Sequence, residues 1–216
     1  MKILVVSATE KEILPLKSKI ESIKSLNQQV DFLNTGIGSV FTTYLLTRKL
    51  TEKDYDIVIN AGIAGSFNCD LEIGGVVFIN SDEFADLGIE DKSEFYTIFE
   101  KGFISKDQFP FNNGKLENSY VFDLNIKHAT AITVNTTHGC SKSIELFKNK
   151  FNADVETMEG AAFCYVCLQE GIKFMQIRSV SNYVEERDTE KWNIPLAIKN
   201  LNKKLFEIID VLVKEQ

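Results

Sequence analysis

An α/β protein, built as a three-layer α/β/α sandwich around a central mixed and twisted sheet, is what this sequence predicts, and three observations predict it. Short apolar runs of strand length alternate with amphipathic stretches of helical period. Two of those runs open into glycine-bearing segments, Thr35-Gly36-Ile37-Gly38-Ser39 and Asn60-Ala61-Gly62-Ile63-Ala64-Gly65-Ser66, a recurring strand, glycine loop, helix pattern. The chain of 216 residues is 44% hydrophobic and no linker interrupts it, so residues 1–216 are read as one domain.

The elements follow in order. Residues 2–7 form a buried-strand run. Thr9 and Glu12 have the spacing of a capping box, so a helix starts here, with Ile13, Leu16 and Ile20 on its apolar face. Residues 30–34 form a strand that ends in the first glycine loop, and a helix follows from Val40 to about Leu50. Strands are expected at 56–60, before the second glycine loop, and at 73–79, around the Gly74-Gly75 pair. Residues 82–91 read as an acidic loop. Residues 94–114 are polar and aromatic without a clear period, which suggests a flexible surface segment or lid. A strand at 129–134, a helix at 141–150, a helix from Glu159 to Gln169, a turn at Gly171 and a strand through Ile177 come next. An amphipathic helix over 193–214 closes the chain.

Charge and cysteines narrow the function classes. The net charge is −7, and the three arginines (Arg48, Arg178, Arg187) form no basic stripe, which argues against nucleic acid as a partner. The apolar run at the start is too short for a signal peptide or membrane span, so neither secretion nor a membrane is expected. The four scattered cysteines suit a reducing compartment, and a cytoplasmic protein is expected. Cys164 and Cys167 lie on a helix without a second pair or a nearby histidine, so they read as core thiols and no metal site is expected.

Several polar residues stand out. Glu159 sits among Met158, Gly160, Ala161 and Ala162, where an unpaired buried carboxylate is costly, so it reaches solvent or holds a polar partner such as a sugar diol. Ser181 and Asn182 emerge at the end of an apolar strand, where α/β proteins place ligands. Glu12 reads first as a helix N-terminus, where the macrodipole favours a carboxylate, and secondly as a general base. The glycine loops lack the spacing of dinucleotide and P-loop motifs, so no nucleotide cofactor is implied. Each is a tight turn or, jointly, a ligand cradle through Gly36, Gly38, Ala61 and Gly62. Thr137 and His138 follow the strand at 129–134 and can reach a ligand, although a satisfied loop histidine is the preferred reading of the residues alone.

Taken together, these pieces resemble the purine nucleoside phosphorylase and nucleosidase superfamily. Ala8-Thr9-Glu10-Lys11-Glu12 resembles the segment carrying the water-activating glutamate of methylthioadenosine/adenosylhomocysteine nucleosidases. The glycine loops, the Met158-Glu159 ribose motif and the Arg178-Ser179-Val180-Ser181-Asn182 strand end resemble that superfamily's in the same order. Asn182 stands where the nucleosidases carry aspartate. Residues 181–198 are similar to the corresponding segment of futalosine hydrolases, which release hypoxanthine from futalosine in a menaquinone route. The resemblance implies a nucleoside phosphorylase-like fold, a cytoplasmic homodimer, a small nucleoside substrate and no cofactor. It makes Glu12 and Asn182 catalytic, Met158 and Glu159 ribose-binding, and Gly36, Gly38, Ala61, Gly62, Ser181, Thr137 and His138 the base and water loops. Asparagine donates to N7 of a purine without transferring a proton, which suits a 6-oxopurine. The absence of any arginine before Arg48 argues for hydrolysis over phosphorolysis. Methylthioadenosine/adenosylhomocysteine nucleosidase is the alternative enzyme, and a non-catalytic purine-binding module the alternative of another class. Arg187 or the 136–138 loop is a candidate for the carboxylate end of futalosine, and 94–120 is a lid, an aromatic wall or a subunit contact.

Overall fold

The computed structural model describes residues 1–92, 94–118 and 125–214. Its elements run β1 (Ile3–Ser7), α1 (Glu10–Glu21), α2 (Lys24–Asn27), β2 (Val30–Asn34), α3 (Ser39–Glu52), β3 (Ile57–Ser66) and β4 (Val76–Phe84). They continue with β5 (Gly88–Asp91), β6 (Glu94–Thr97), β7 (Leu116–Glu117), β8 (Lys127–Thr133), α4 (Ser141–Phe151), β9 (Val155–Thr157), α5 (Gly160–Gln169), β10 (Phe174–Tyr183) and α6 (Ile194–Lys214).

The α/β class and the mixed sheet are present, but the sheet is not one open layer. β1 lies between β2 and β3, both parallel to it. β3 runs on past β1 and pairs with β10 along its other edge and with β9 at its end. β10 pairs with β4, β4 with β8 and β8 with β9, so five strands close into a barrel-like ring and β2-β1 extends from it. Layering survives only on that extension. Ile3, Val5, Ile57 and Ile59 point to a core shared with α1 and α6, whereas Leu4, Val6 and Val58 face one shared with α3 and α5. Alternate residues of a strand buried on both faces give this arrangement.

Helix α1 contains Pro15, which supplies no N–H to the helix ladder. Asn202 of α6 repairs the break: its Nδ2 donates to the Glu12 carbonyl at 2.7 Å, and its Oδ1 accepts from Leu16 N–H at 2.9 Å. The first turn of α1, which carries Glu12, is thereby fixed to α6.

Three expectations give way. The segment 60–66 is strand rather than loop: Ala61, Gly62 and Gly65 all pair within β3. The acidic stretch 82–91 is the end of β4 and the hairpin strand β5, and Asp82 is fully buried there. The segment from 94 to 118 is anchored rather than free. Phe95 stacks on Phe147 of α4, Phe111 packs against Phe99 and Tyr165 of α5, and Glu100 pairs with Lys150 at 2.7 Å. Residues 119–120 of the predicted lid lie outside the described residues. Among the described residues, no helix is long and apolar enough to cross a membrane.

A buried polar layer supports the N-terminus of α5. Asp82 accepts from Gln176 Nε2 and from Thr133 Oγ1, each at 2.9 Å, and Thr133 Oγ1 accepts from the Ala161 N–H at 2.8 Å. A side chain at Gly160 would collide with Asp82 and Gln176, which accounts for the glycine there. Cys164 and Cys167 are buried thiols, and the Cys164 Sγ lies 3.2 Å from Gln176 Oε1.

Burial pushes the Asp82 carboxyl up to about 6, against its hydrogen bonds from Gln176 and Thr133 and the nearby Arg178 charge. A carboxyl whose folded value is raised contributes stability below its unfolded value and loses it as the pH rises through the folded one. Between pH 4 and 7 the wild type is therefore expected to lose roughly 3 kcal/mol relative to Asp82→Asn, from about 1.4 kcal/mol per pH unit. Urea unfolding of both proteins across that range checks it, and parallel pH profiles would contradict it.

Candidate active site

Residues from distant parts of the sequence meet at one cavity of about 430 Å³, at the carboxyl ends of β1, β3 and β10. This volume suits a small organic ligand. Glu12 from α1, Met158 and Glu159 from the turn before α5, and Ser181 and Asn182 from β10 all line it. Thr137 and His138, from the loop after β8, line it too. Gly36, Gly38, Ala61 and Gly62 do not. Ala61 shares a strand face with Ile63 and Gly65, which line the cavity, but lies one step deeper, in the core between β3, α1 and α6.

Both readings of Glu12 hold together in one geometry. Its Oε2 accepts from the Thr9 N–H and the Thr9 hydroxyl, each at 2.9 Å, as in a capping box. Its Oε1 accepts from the Ile63 N–H at 3.2 Å across the cavity floor. The cap thus aims the carboxylate rather than competing with a role in the cavity.

Glu159 is the N-cap residue of α5 and is buried. Its Oε1 accepts from the Gly38 N–H at 2.9 Å, so the first glycine loop supports the carboxylate through Gly38 while its Ile37 lines the cavity. Gly36 and Gly38 have φ of +84° and +97°, which favour glycine and swing that N–H into place. Burial raises the Glu159 carboxyl above its ordinary value. The Arg178 charge and the Gly38 N–H oppose that rise, and the charge of Glu12 adds to it.

Arg178, almost fully buried, is the residue sequence reasoning left without a role. It pairs with Gly62 across β3 and β10 and donates to Asn60 Oδ1. A side chain at Gly62 would strike its guanidinium and stand 3.1 Å from Glu12 Oε1. Gly62 is therefore a gap in which a buried cation approaches a buried carboxylate, rather than a backbone cradle. A strong signal was available: an arginine at the end of an apolar run needs acidic partners.

Asn182 is aimed by a bulge. The register of β10 against β3 slips between Val180 and Asn182, which lets the consecutive Ser181 and Asn182 both face the cavity. The Ser181 hydroxyl donates to Asn182 Oδ1 at 2.7 Å, and Asn182 Nδ2 donates to the Tyr183 carbonyl at 2.9 Å. One amide N–H of Asn182 is left for a ligand. Gly65 lies opposite Asn182, and a Cβ there would come within 3.3 Å of its Nδ2.

Glu156, Arg187 and Trp192 also reach the cavity. Glu156, a buried carboxylate on β9, accepts from the His138 N–H at 3.0 Å and meets the imidazole at Nδ1. The same cost argument that singled out Glu159 applied to it in the sequence. Arg187 lies over Trp192 with its guanidinium 5.1 Å from the ring centroid, and both line the cavity. None of residues 94–118 does. Arg48 is outside, exposed and paired with Glu52 at 3.1 Å.

Comparisons with known proteins bear on this geometry. A family model described as the phosphorylase superfamily matches residues 2–213. Futalosine hydrolase of Streptomyces coelicolor is 28% identical over 164 residues, spanning 76% of this chain and 69% of that protein. The 5'-methylthioadenosine/S-adenosylhomocysteine nucleosidase of Buchnera aphidicola is 27% identical over 198 residues, spanning 87% of this chain and 76% of that protein. The native structure of futalosine hydrolase from Helicobacter pylori superposes with a TM-score of 0.79 at 19% identity, over 97% of each chain, a likeness of fold.

Proposed function

Because the chain belongs to the phosphorylase superfamily, we propose that it is an N-glycosidase that hydrolyses futalosine to hypoxanthine and dehypoxanthine futalosine, as in menaquinone formation. The observation that carries this reading is the meeting of Glu12, Glu159 and Asn182 around one cavity. Relatives named as futalosine hydrolases and as methylthioadenosine/adenosylhomocysteine nucleosidases support glycosidic hydrolysis. Asn182 supports the oxopurine among them.

In this mechanism Glu159, with Oε1 held by Gly38, accepts from the ribose hydroxyls, and Met158 packs against the sugar. As the glycosidic bond stretches, positive charge grows on the ribose and negative charge on the base. The free N–H of Asn182 donates to N7, its amide orientation fixed by Ser181. Glu12 takes a proton from the water that attacks the anomeric carbon, while Thr9 and Ile63 keep the carboxylate aimed. Arg48 stands off the cavity in its own ion pair, and a carboxylate at the cavity floor repels phosphate while suiting water. Arg187 against Trp192 offers a cation and a flat ring to the carboxyphenyl end.

Incubation with futalosine, inosine and methylthioadenosine, followed by chromatography of the bases, tests the reading. Hypoxanthine from futalosine is expected. Adenine from methylthioadenosine alone would move the assignment to that nucleosidase, and no base from any substrate would favour a binding module.

The same reading includes a homodimer in the cytoplasm. Val40, Phe41 and Tyr44 form an exposed apolar stripe on α3, next to exposed Ile37 at the cavity wall. A two-fold contact between such stripes would cover them and close the cavity mouth. Sedimentation is expected to give a dimer for the wild type and a monomer for Phe41→Glu. A monomeric wild type would contradict the contact.

A further inference from the structure

Glu156 and His138 have no part in the chemistry above, yet both line the cavity. The strand register shows what they face. Gly65 of β3 pairs with Glu156 of β9 on one side and with Asn182 of β10 on the other. Glu156 and Asn182 are thus two strand spacings apart, about 10 Å between backbones, across a residue with no side chain. Gly65 itself lines the cavity, and its missing side chain leaves room for Val184 and Asn182 to pack over it, at 2.9 and 3.3 Å from where a Cβ would stand. A flat bicyclic base in this cavity with one edge at Asn182 would turn its opposite edge toward Glu156 and His138, which line the same cavity.

The hydrogen bonds fix what that edge meets. Glu156 Oε1 accepts from the His138 backbone N–H at 3.0 Å, and Oε2 meets Nδ1. A carboxylate can only accept, so Nδ1 carries a proton, and in the neutral imidazole Nε2 is then the lone-pair nitrogen. Phe147 packs on the ring, with centroids 4.0 Å apart, and holds its orientation.

We propose that the Glu156–His138 pair is the specificity-determining element for the base, presenting an acceptor to the N1–H of a 6-oxopurine and rejecting a 6-aminopurine, whose N1 is itself an acceptor. This rests on the oxopurine reading above and adds to it residues that read the edge of the base remote from N7. The pair is complementary to Asn182, which donates at one edge while the pair accepts at the other.

Titration calorimetry with hypoxanthine and with adenine, on the wild type, Glu156→Gln and His138→Ala, tests the pair. The glutamine carbonyl must accept from the His138 backbone N–H, which turns its amide N–H₂ toward Nδ1. The imidazole proton then moves to Nε2, and the edge becomes a donor. Glu156→Gln is expected to weaken hypoxanthine about ten-fold or more while adenine holds or tightens. His138→Ala is expected to weaken hypoxanthine by a similar factor and leave adenine unchanged. If the two bases weaken in parallel, or the wild-type preference survives, the pair is structural and the proposal falls. Should Glu156→Gln not fold, as judged by circular dichroism, His138→Ala decides alone. A wild type that prefers adenine would overturn the oxopurine reading and this proposal with it. A wild type that prefers hypoxanthine, with variants that keep the preference, would overturn only the proposal.

Discussion

Glu12→Gln is expected to lower kcat on futalosine by about 10²–10⁴-fold while KM stays within a few-fold. The substitution keeps the shape of the side chain and removes the group that accepts the proton from water. Its carbonyl can take over the two Thr9 bonds that now go to Oε2, so α1 keeps its cap. The amide then faces the Ile63 N–H, which loses its acceptor, at a cost of about 1 kcal/mol. Folding therefore survives and the loss appears in turnover. Steady-state kinetics beside a denaturation curve separates the two effects. A variant that keeps its turnover would remove Glu12 from the role of base.

Arg178→Met is expected to destabilise the protein by about 3–5 kcal/mol, the cost of breaking a buried charge pair from one side. Arg178 is buried beside Gly62, and its charge is what holds the Glu159 carboxyl down against burial and against Glu12. Without it, two acidic side chains share one cavity with no cation between them. Protonating Glu159 relieves part of the strain, so the difference from wild type is expected to shrink as the pH falls. Urea unfolding at pH 5 and pH 8 reads both terms. A loss below 1 kcal/mol that does not vary with pH would show that the guanidinium does not compensate the carboxylates.

The sequence was most legible where its signals are local. The capping box at Thr9 and Glu12 follows from spacing, and α1 starts where it predicts. The amphipathic period of 193–214 is the helix α6. Glycine misled where its reason was distant. Gly62 and Gly65 read as loop formers, yet both are strand residues left bare so that Arg178 and Asn182 can approach. The run 60–66 therefore reads as a loop, and Ala61 lies in the core one step below the cavity-lining Ile63. Closure of the sheet was equally hidden, because it depends on β9, three residues long, bridging β3 and β8. Glu12, Glu159 and Asn182 could each be singled out by chemistry. Their meeting depends on parallel pairing of β1, β3 and β10, whose partners lie far apart in the chain. Glu156 carries the same signal as Glu159, a carboxylate flanked by buried residues, here Val155 and Thr157.

The most direct measurement is a crystal structure of Glu12→Gln soaked with futalosine. The account predicts an intact nucleoside in the cavity, its ribose hydroxyls hydrogen-bonded to Glu159, N7 of the base at Asn182, and residue 12 facing the anomeric carbon. A nucleoside bound elsewhere, or one whose anomeric carbon is turned away from residue 12, would contradict it.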